Sequence, residues 1–147
     1  MTLNECIAKS KGYKCYQMKR SGFDLQYVYP PNEFPWDNRK DKEQFKAECV
    51  EIDIMKIDYG CLDGHGLPDW EHDPRLYMAL FEEMAKSKST IHDNSLYVDL
   101  YARDENVFQV YVSHGCMCHE EVTESDTIGT AICLAYCKLY GLECDHE

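Results

Sequence analysis

The stretch Val112–Glu121, VSHGCMCHEE, sets two cysteines, two histidines and two glutamates within ten positions. Three chemistries use such a mixture: a metal site, a nucleophile with its base, or a polar connection between a strand and a helix. Zinc takes four ligands from Cys and His, usually supplied as two pairs. Cys116, Cys118, His119 and His114 make up such a set. The spacing argues against it, because Cys-x-Cys is tighter than the common Cys-x2-Cys and adjacent Cys118 and His119 seldom both reach one ion. Cys61 with His65 and Cys144 with His146 are further pairs, and Cys133 with Cys137 is a weak one on a helix. The expectation is a chain without a cofactor, in which this stretch is a loop after a hairpin. Zinc on Cys116, Cys118, His119 and His114 is the alternative.

A cysteine nucleophile needs a histidine that a third group orients. Cys61, Asp63 and His65 in a glycine-rich loop, or Cys116 with His114, offer the residue types without any recognised local signature. An acidic neighbourhood raises a thiol pKa and disfavours the thiolate. Glycine loops of the phosphate- or dinucleotide-binding kind are absent. The chain reads as a binding protein and not as an enzyme, with no catalytic residue assigned.

Charge separates the remaining function classes. The 147 residues carry 15 Lys and Arg against 27 Asp and Glu, a net charge of −12. Residues 1–66 hold 10 basic and 11 acidic side chains, whereas residues 67–147 hold 5 and 16, net −11. An acidic field repels nucleic acid and attracts basic surfaces, although it also serves solubility. Lys9–Arg20 runs against this trend, with five basic residues, no acids, and Tyr13 and Tyr16 between them. Basic residues interleaved with aromatics suit single-stranded nucleic acid. The span is short, and a solvated helix end and strand is the favoured reading.

Nine cysteines are many for this length. Their odd number, and a start without an apolar run and cleavage site, favour reduced thiols packed as small hydrophobes in a cytosolic protein. The longest apolar runs are a few residues, too short to span a membrane.

The elements that would position these residues are legible in part. Thr2-Leu3-Asn4-Glu5 has the form of a capping box and starts a short helix that Gly12 stops. Phe23–Tyr29 alternates as a strand and ends at Pro30-Pro31, and residues 49–57 alternate again. Residues 32–42 read as a polar surface loop around Trp36, whose deletion is expected to leave the fold intact. Asp73-Pro74 caps a helix with an apolar stripe of Leu76, Leu80 and Met84. SLYVDLYAR and VFQVYVS form a hairpin, and Ser125 or Asp126 caps a last helix that ends at Gly141. On that helix Ile128, Ala131, Ile132, Ala135, Leu139 and Leu142 share one face, while Cys133, Tyr136, Cys137 and Tyr140 share another. A helix apolar on two faces must be covered on both, by the rest of this chain, by a second copy in a homodimer, or by a partner.

The segments LNECIAKSKGYKC, LPDWEHDPRLYMALFEEM, LYVDLYARDENVFQVYV and TIGTAICLAYCKLYGL resemble the small phage proteins of the ABA-sandwich family. The resemblance covers about the first fifteen residues and Leu67–Leu142, and leaves residues 21–66 as an enlargement. It implies a layered helix–sheet–helix fold and a phage or prophage origin; with a length suited to one domain, the expectation is a single α+β domain over residues 1–147, a layered sandwich with a mostly antiparallel sheet. The family has no common activity, so it transfers no functional residue.

Charge and resemblance together lead to one expectation. The protein is expected to be a phage-encoded inhibitor of a host bacterial defence protein, anti-CRISPR-like, acting in the bacterial cytosol by blocking a basic nucleic-acid-binding surface. Glu120, Glu121, Glu124 and Asp126, with Asp104 and Glu105 at the hairpin turn, are the expected partner-binding carboxylates, and Tyr136 and Tyr140 the next anchors. A zinc-binding or nucleic-acid-binding phage regulator is the alternative.

Overall fold

In a computed structural model the described residues are 2–20, 23–62, 66–87, 96–114 and 120–144. The chain is α+β, with two three-stranded antiparallel sheets. It divides into two compact units: residues 5–68, and residues 69–147 together with Thr2–Asn4. The division falls inside the first helix, α1 (Leu3–Ser10). No helix among the described residues is long and apolar enough to cross a membrane.

In the first unit, α1 closes through Gly12, whose φ of +84° suits a residue without a Cβ. Strands β1 (Lys14–Arg20), β2 (Phe23–Tyr29) and β3 (Cys49–Ile52) form a sheet in the order β2-β1-β3. The 21–66 segment is therefore not self-contained, since β2 and β3 both pair with β1, which precedes it. Register sets Tyr16 opposite Tyr27 and Met18 opposite Leu25. Met18 and Tyr27 form a core with Phe45 of helix α2 (Lys42–Glu48), and Leu25, Tyr29, Trp36 and Cys49 pack around it.

Most of the 32–42 stretch is exposed, as its composition leads one to expect, but two of its residues turn inward. Pro35 is buried, and the Trp36 ring stacks on Phe34 at 4.9 Å and meets Tyr16 edge-on at 5.4 Å. The second alternating segment also stops early: β3 ends at Ile52, and Ile54–Lys56 is a 3-10 turn capped by Asp53.

In the second unit, helix α3 (Pro74–Lys86) starts where expected, with the Asp73 side chain accepting from the Arg75 amide. Strands β4 (Leu96–Asp104), β5 (Val107–His114) and β6 (Glu120–Ser125) form the sheet β4-β5-β6. Helix α4 (Ile128–Leu139) closes the unit. Its cap is Thr127, not Ser125 or Asp126, because Ser125 belongs to β6. Helices α3 and α4 pack on each other, and both pack on the sheet. Leu96, Val110 and Val112 are buried on the helix side, and there Thr123 Oγ1 donates to the Ala131 carbonyl at 3.1 Å.

The two-faced apolarity of α4 is matched by burial on both faces: Ala131, Ile132, Ala135 and Leu139 on one, Cys133, Tyr136 and Cys137 on the other. Part of the cover comes from within the unit. Gly129 sits against the Glu71 carbonyl, where a Cβ would come within 1.8 Å of the oxygen.

Candidate functional site

Because strands alternate faces, register decides which carboxylates share a surface. Tyr97, Asp99 and Tyr101 of β4 lie on the face opposite the buried Leu96. Asp99 is opposite Tyr111, Tyr101 opposite Gln109, and Ser113 opposite Glu120. Tyr111 is opposite Val122, and Gln109 opposite Glu124. The outward face therefore collects Asp99, Glu120 and Glu124 with Tyr97, Tyr101, Tyr111 and Val122. Tyr97 is 60 % and Tyr101 52 % exposed.

One hydrogen-bonded chain crosses this face. Tyr111 Oη donates to Gln109 Oε1 at 3.1 Å. Gln109 Nε2 donates to Glu124 Oε1 at 2.7 Å, and Arg103 Nη1 reaches the same oxygen at 3.0 Å. The Gln109 amide, then the Arg103 guanidinium, holds the Glu124 carboxyl below the ordinary glutamate value, against desolvation and the nearby Asp104 charge. Tyr101 meets Tyr111 edge-on at 5.1 Å. Asp99 and Glu120 are exposed and have no hydrogen-bond or ion-pair partner among the described residues.

The expected acidic set is thus divided. Glu120 and Glu124 are on the outward face. Glu121, opposite Val112, is half-buried on the helix side. Asp126 is exposed between β6 and α4, and Asp104 and Glu105 are exposed at the hairpin turn. Of these, Asp104 is close enough for its charge to act on Glu124. Composition and motif reading do not single out Asp99, Tyr97, Tyr101 or Tyr111. The signal for them is the period-2 pattern itself, which makes every outward position of a one-sided sheet a surface candidate.

The aromatic anchors on α4 also separate. Tyr136 is 5 % exposed and donates to Glu83 Oε1 at 3.0 Å, so it is an interior residue and not a surface anchor. Its amphipathic ring has its polar partner inside the unit. Tyr140 is 37 % exposed and packs beside Tyr136 with its hydroxyl against Ser87.

Cys116, Cys118 and His119 lie outside the described residues, and His114 ends β5. Of the glycine-rich loop's candidate nucleophile set, Asp63 and His65 also fall outside the described residues, and the Cys61 thiol contacts Asp58. Cys15, Cys49, Cys61, Cys133 and Cys137 are in no disulfide. Cys6 and Cys144 are each engaged in a disulfide, which departs from the reduced expectation. Burial pushes the thiols of Cys15 and Cys137 up to about 11, and Cys133 higher still, with Glu71 adding to the shift at Cys133 and Cys137. At ordinary pH these three thiols are neutral, and none is an activated nucleophile.

Comparison with protein-family models, with curated proteins and with solved structures finds no match.

Proposed function

We propose that this chain is a small acidic binding protein that occupies a basic, nucleic-acid-binding surface on another protein. The observation that carries the reading is the outward face of β4-β5-β6, where Asp99, Glu120 and Glu124 alternate with exposed tyrosines. Carboxylates spaced along strands present negative charge to the Lys and Arg that otherwise hold phosphates. Exposed aromatic rings offer contact area at low entropic cost. A net −11 over residues 67–147 supplies long-range attraction to such a partner.

In its fullest form the proposal makes the protein a phage-encoded, anti-CRISPR-like inhibitor of a bacterial defence protein, acting in the host cytosol.

The test is capture from bacterial lysate with immobilised wild type, with Glu120→Lys/Glu124→Lys, and with Glu82→Lys on α3 as a charge control. The expected result is a nucleic-acid-binding protein held by wild type and control. Added oligonucleotide or raised salt should release it, and the double reversal should fail to capture it. Such like-charge contact costs several kcal/mol, on the order of a hundredfold in affinity or more. Capture that ignores charge reversal, salt and oligonucleotide would overturn the proposal.

A further inference from the structure

We infer that the outward face of β4-β5-β6 recognises arginine, and not lysine, on its partner, seating a guanidinium between Tyr101, Tyr111 and the carboxylates of Asp99 and Glu120. The inference rests on the proposed function and names the chemistry its basic partner must present.

A concavity of about 340 Å³ lies on this face, lined by Asp99, Tyr101, Arg103, Gln109, Tyr111 and Glu120. Arg103 is paired with Glu124, and the side chains of Asp99 and Glu120 have no ion pair or hydrogen bond among the described residues. The walls of the concavity include two tyrosine rings set edge to face at 5.1 Å. Carboxylates beside ring faces select a cation that can accept both contacts.

A guanidinium is the better match. It is planar, stacks on rings, forks onto carboxylate oxygens and sheds its hydration more readily than an ammonium. The protein's own Arg103 shows the pairing at one side of the concavity, with Nη1 3.0 Å from Glu124 Oε1. That pair satisfies Glu124 and leaves Asp99 and Glu120 for an incoming side chain. None of the inward-facing valines is needed for this contact, so recognition and folding draw on opposite faces of the same strands.

The experiment uses two labelled peptides of equal length and charge, one with four arginines and one with four lysines at alternate positions. Binding to the full chain is read by fluorescence anisotropy at low and moderate salt. Wild type should bind the arginine peptide about two- to fivefold more tightly than the lysine peptide, the size of a cation–π contact at an exposed site. Tyr101→Leu keeps a strand-compatible exposed residue and should remove that preference. Asp99→Asn/Glu120→Gln should lose both peptides.

Equal binding of the two peptides by wild type would overturn the arginine pocket while leaving the acidic-surface reading standing. An arginine preference that survives Tyr101→Leu would also overturn it, because the ring would not be in the site. Failure of wild type to bind either peptide would count against both readings. Amide shift changes on adding arginine peptide to wild type serve where a variant fails to fold. They should centre on Tyr101 and Tyr111, and changes confined to other strands would overturn the pocket.

Discussion

The hydroxyl of Tyr136 donates to Glu83 Oε1 at 3.0 Å, tying the second apolar face of α4 to the last turns of α3. The bond joins a buried ring to a carboxylate at the surface, so its loss is partly relieved by water. Tyr136→Phe is expected to cost about 0.5–1.5 kcal/mol. Tyr136→Ala empties a ring-sized volume and is expected to cost about 3 kcal/mol or more. Chemical denaturation of the two variants checks this. Equal stability of Tyr136→Ala and wild type would mean that the face is not packed as described.

The approach of α4 to the Asp69–Asp73 segment gives a sharper expectation. A Cβ at residue 129 would fall 1.8 Å from the Glu71 carbonyl oxygen and 2.7 Å from both the Glu71 carbonyl carbon and a Tyr77 ring carbon. Backbone cannot yield as a flexible side chain does. Gly129→Ala, which raises helix propensity on paper, should nevertheless destabilise by about 1–3 kcal/mol through overpacking. A rise in melting temperature in that variant would place the helix differently.

What can be read from the sequence follows from what each segment buries. The hairpin of β4 and β5 and the helix α3 bury one apolar face and show it as period 2 and period 3.6. Strand β6 is hidden because EEVTES places Glu121, Thr123 and Ser125 on the helix side and Glu120, Val122 and Glu124 outside, leaving no apolar alternation. Helix α2 is hidden because Phe45 alone among its seven residues is buried. The candidate site depends on β6: without its register, Glu120 and Glu121 look like neighbours on one acidic edge, whereas the sheet sends them to opposite faces.

Glu124 gives a titration whose direction is set by its partners. Its carboxyl is held below the ordinary value by Gln109 first and then by Arg103. A group with a depressed folded-state pKa contributes stability above its unfolded pKa and loses it as pH falls through the folded one. Destabilisation from this residue is therefore expected only on acidification through the carboxylate range, with none between neutral and alkaline pH. NMR titration should place its midpoint below that of a free glutamate. Gln109→Ala and Arg103→Ala should each move the midpoint upward. A midpoint unmoved by either variant would sink the network. Solvent screening at this exposed site keeps the contribution to stability small.

Trp36 carries the last prediction, because composition and packing disagree about it. Its neighbours Asn32, Glu33, Asp37, Asn38, Arg39 and Lys40 mark a polar loop, yet its ring packs against the Met18, Tyr27 and Phe45 core. Phe34 stacks on it at 4.9 Å, Tyr16 meets it at 5.4 Å, and the Lys46 ammonium lies 5.8 Å from its ring centre. Aromatic pairs contribute about 0.5–1.5 kcal/mol beyond their buried area. Complete truncation of a buried large ring costs about 3–5 kcal/mol. Trp36 is half-buried, so Trp36→Ala is expected to cost less, about 2–3 kcal/mol, with Trp36→Phe recovering most of it. Deleting residues 32–42 removes the buried Pro35 as well and should abolish cooperative unfolding of the first unit. Denaturation followed by far-ultraviolet circular dichroism, together with hydrogen exchange read over residues 5–68, checks both. A deletion variant that unfolds cooperatively at the wild-type midpoint would return the segment to the surface and remove Trp36 from the core.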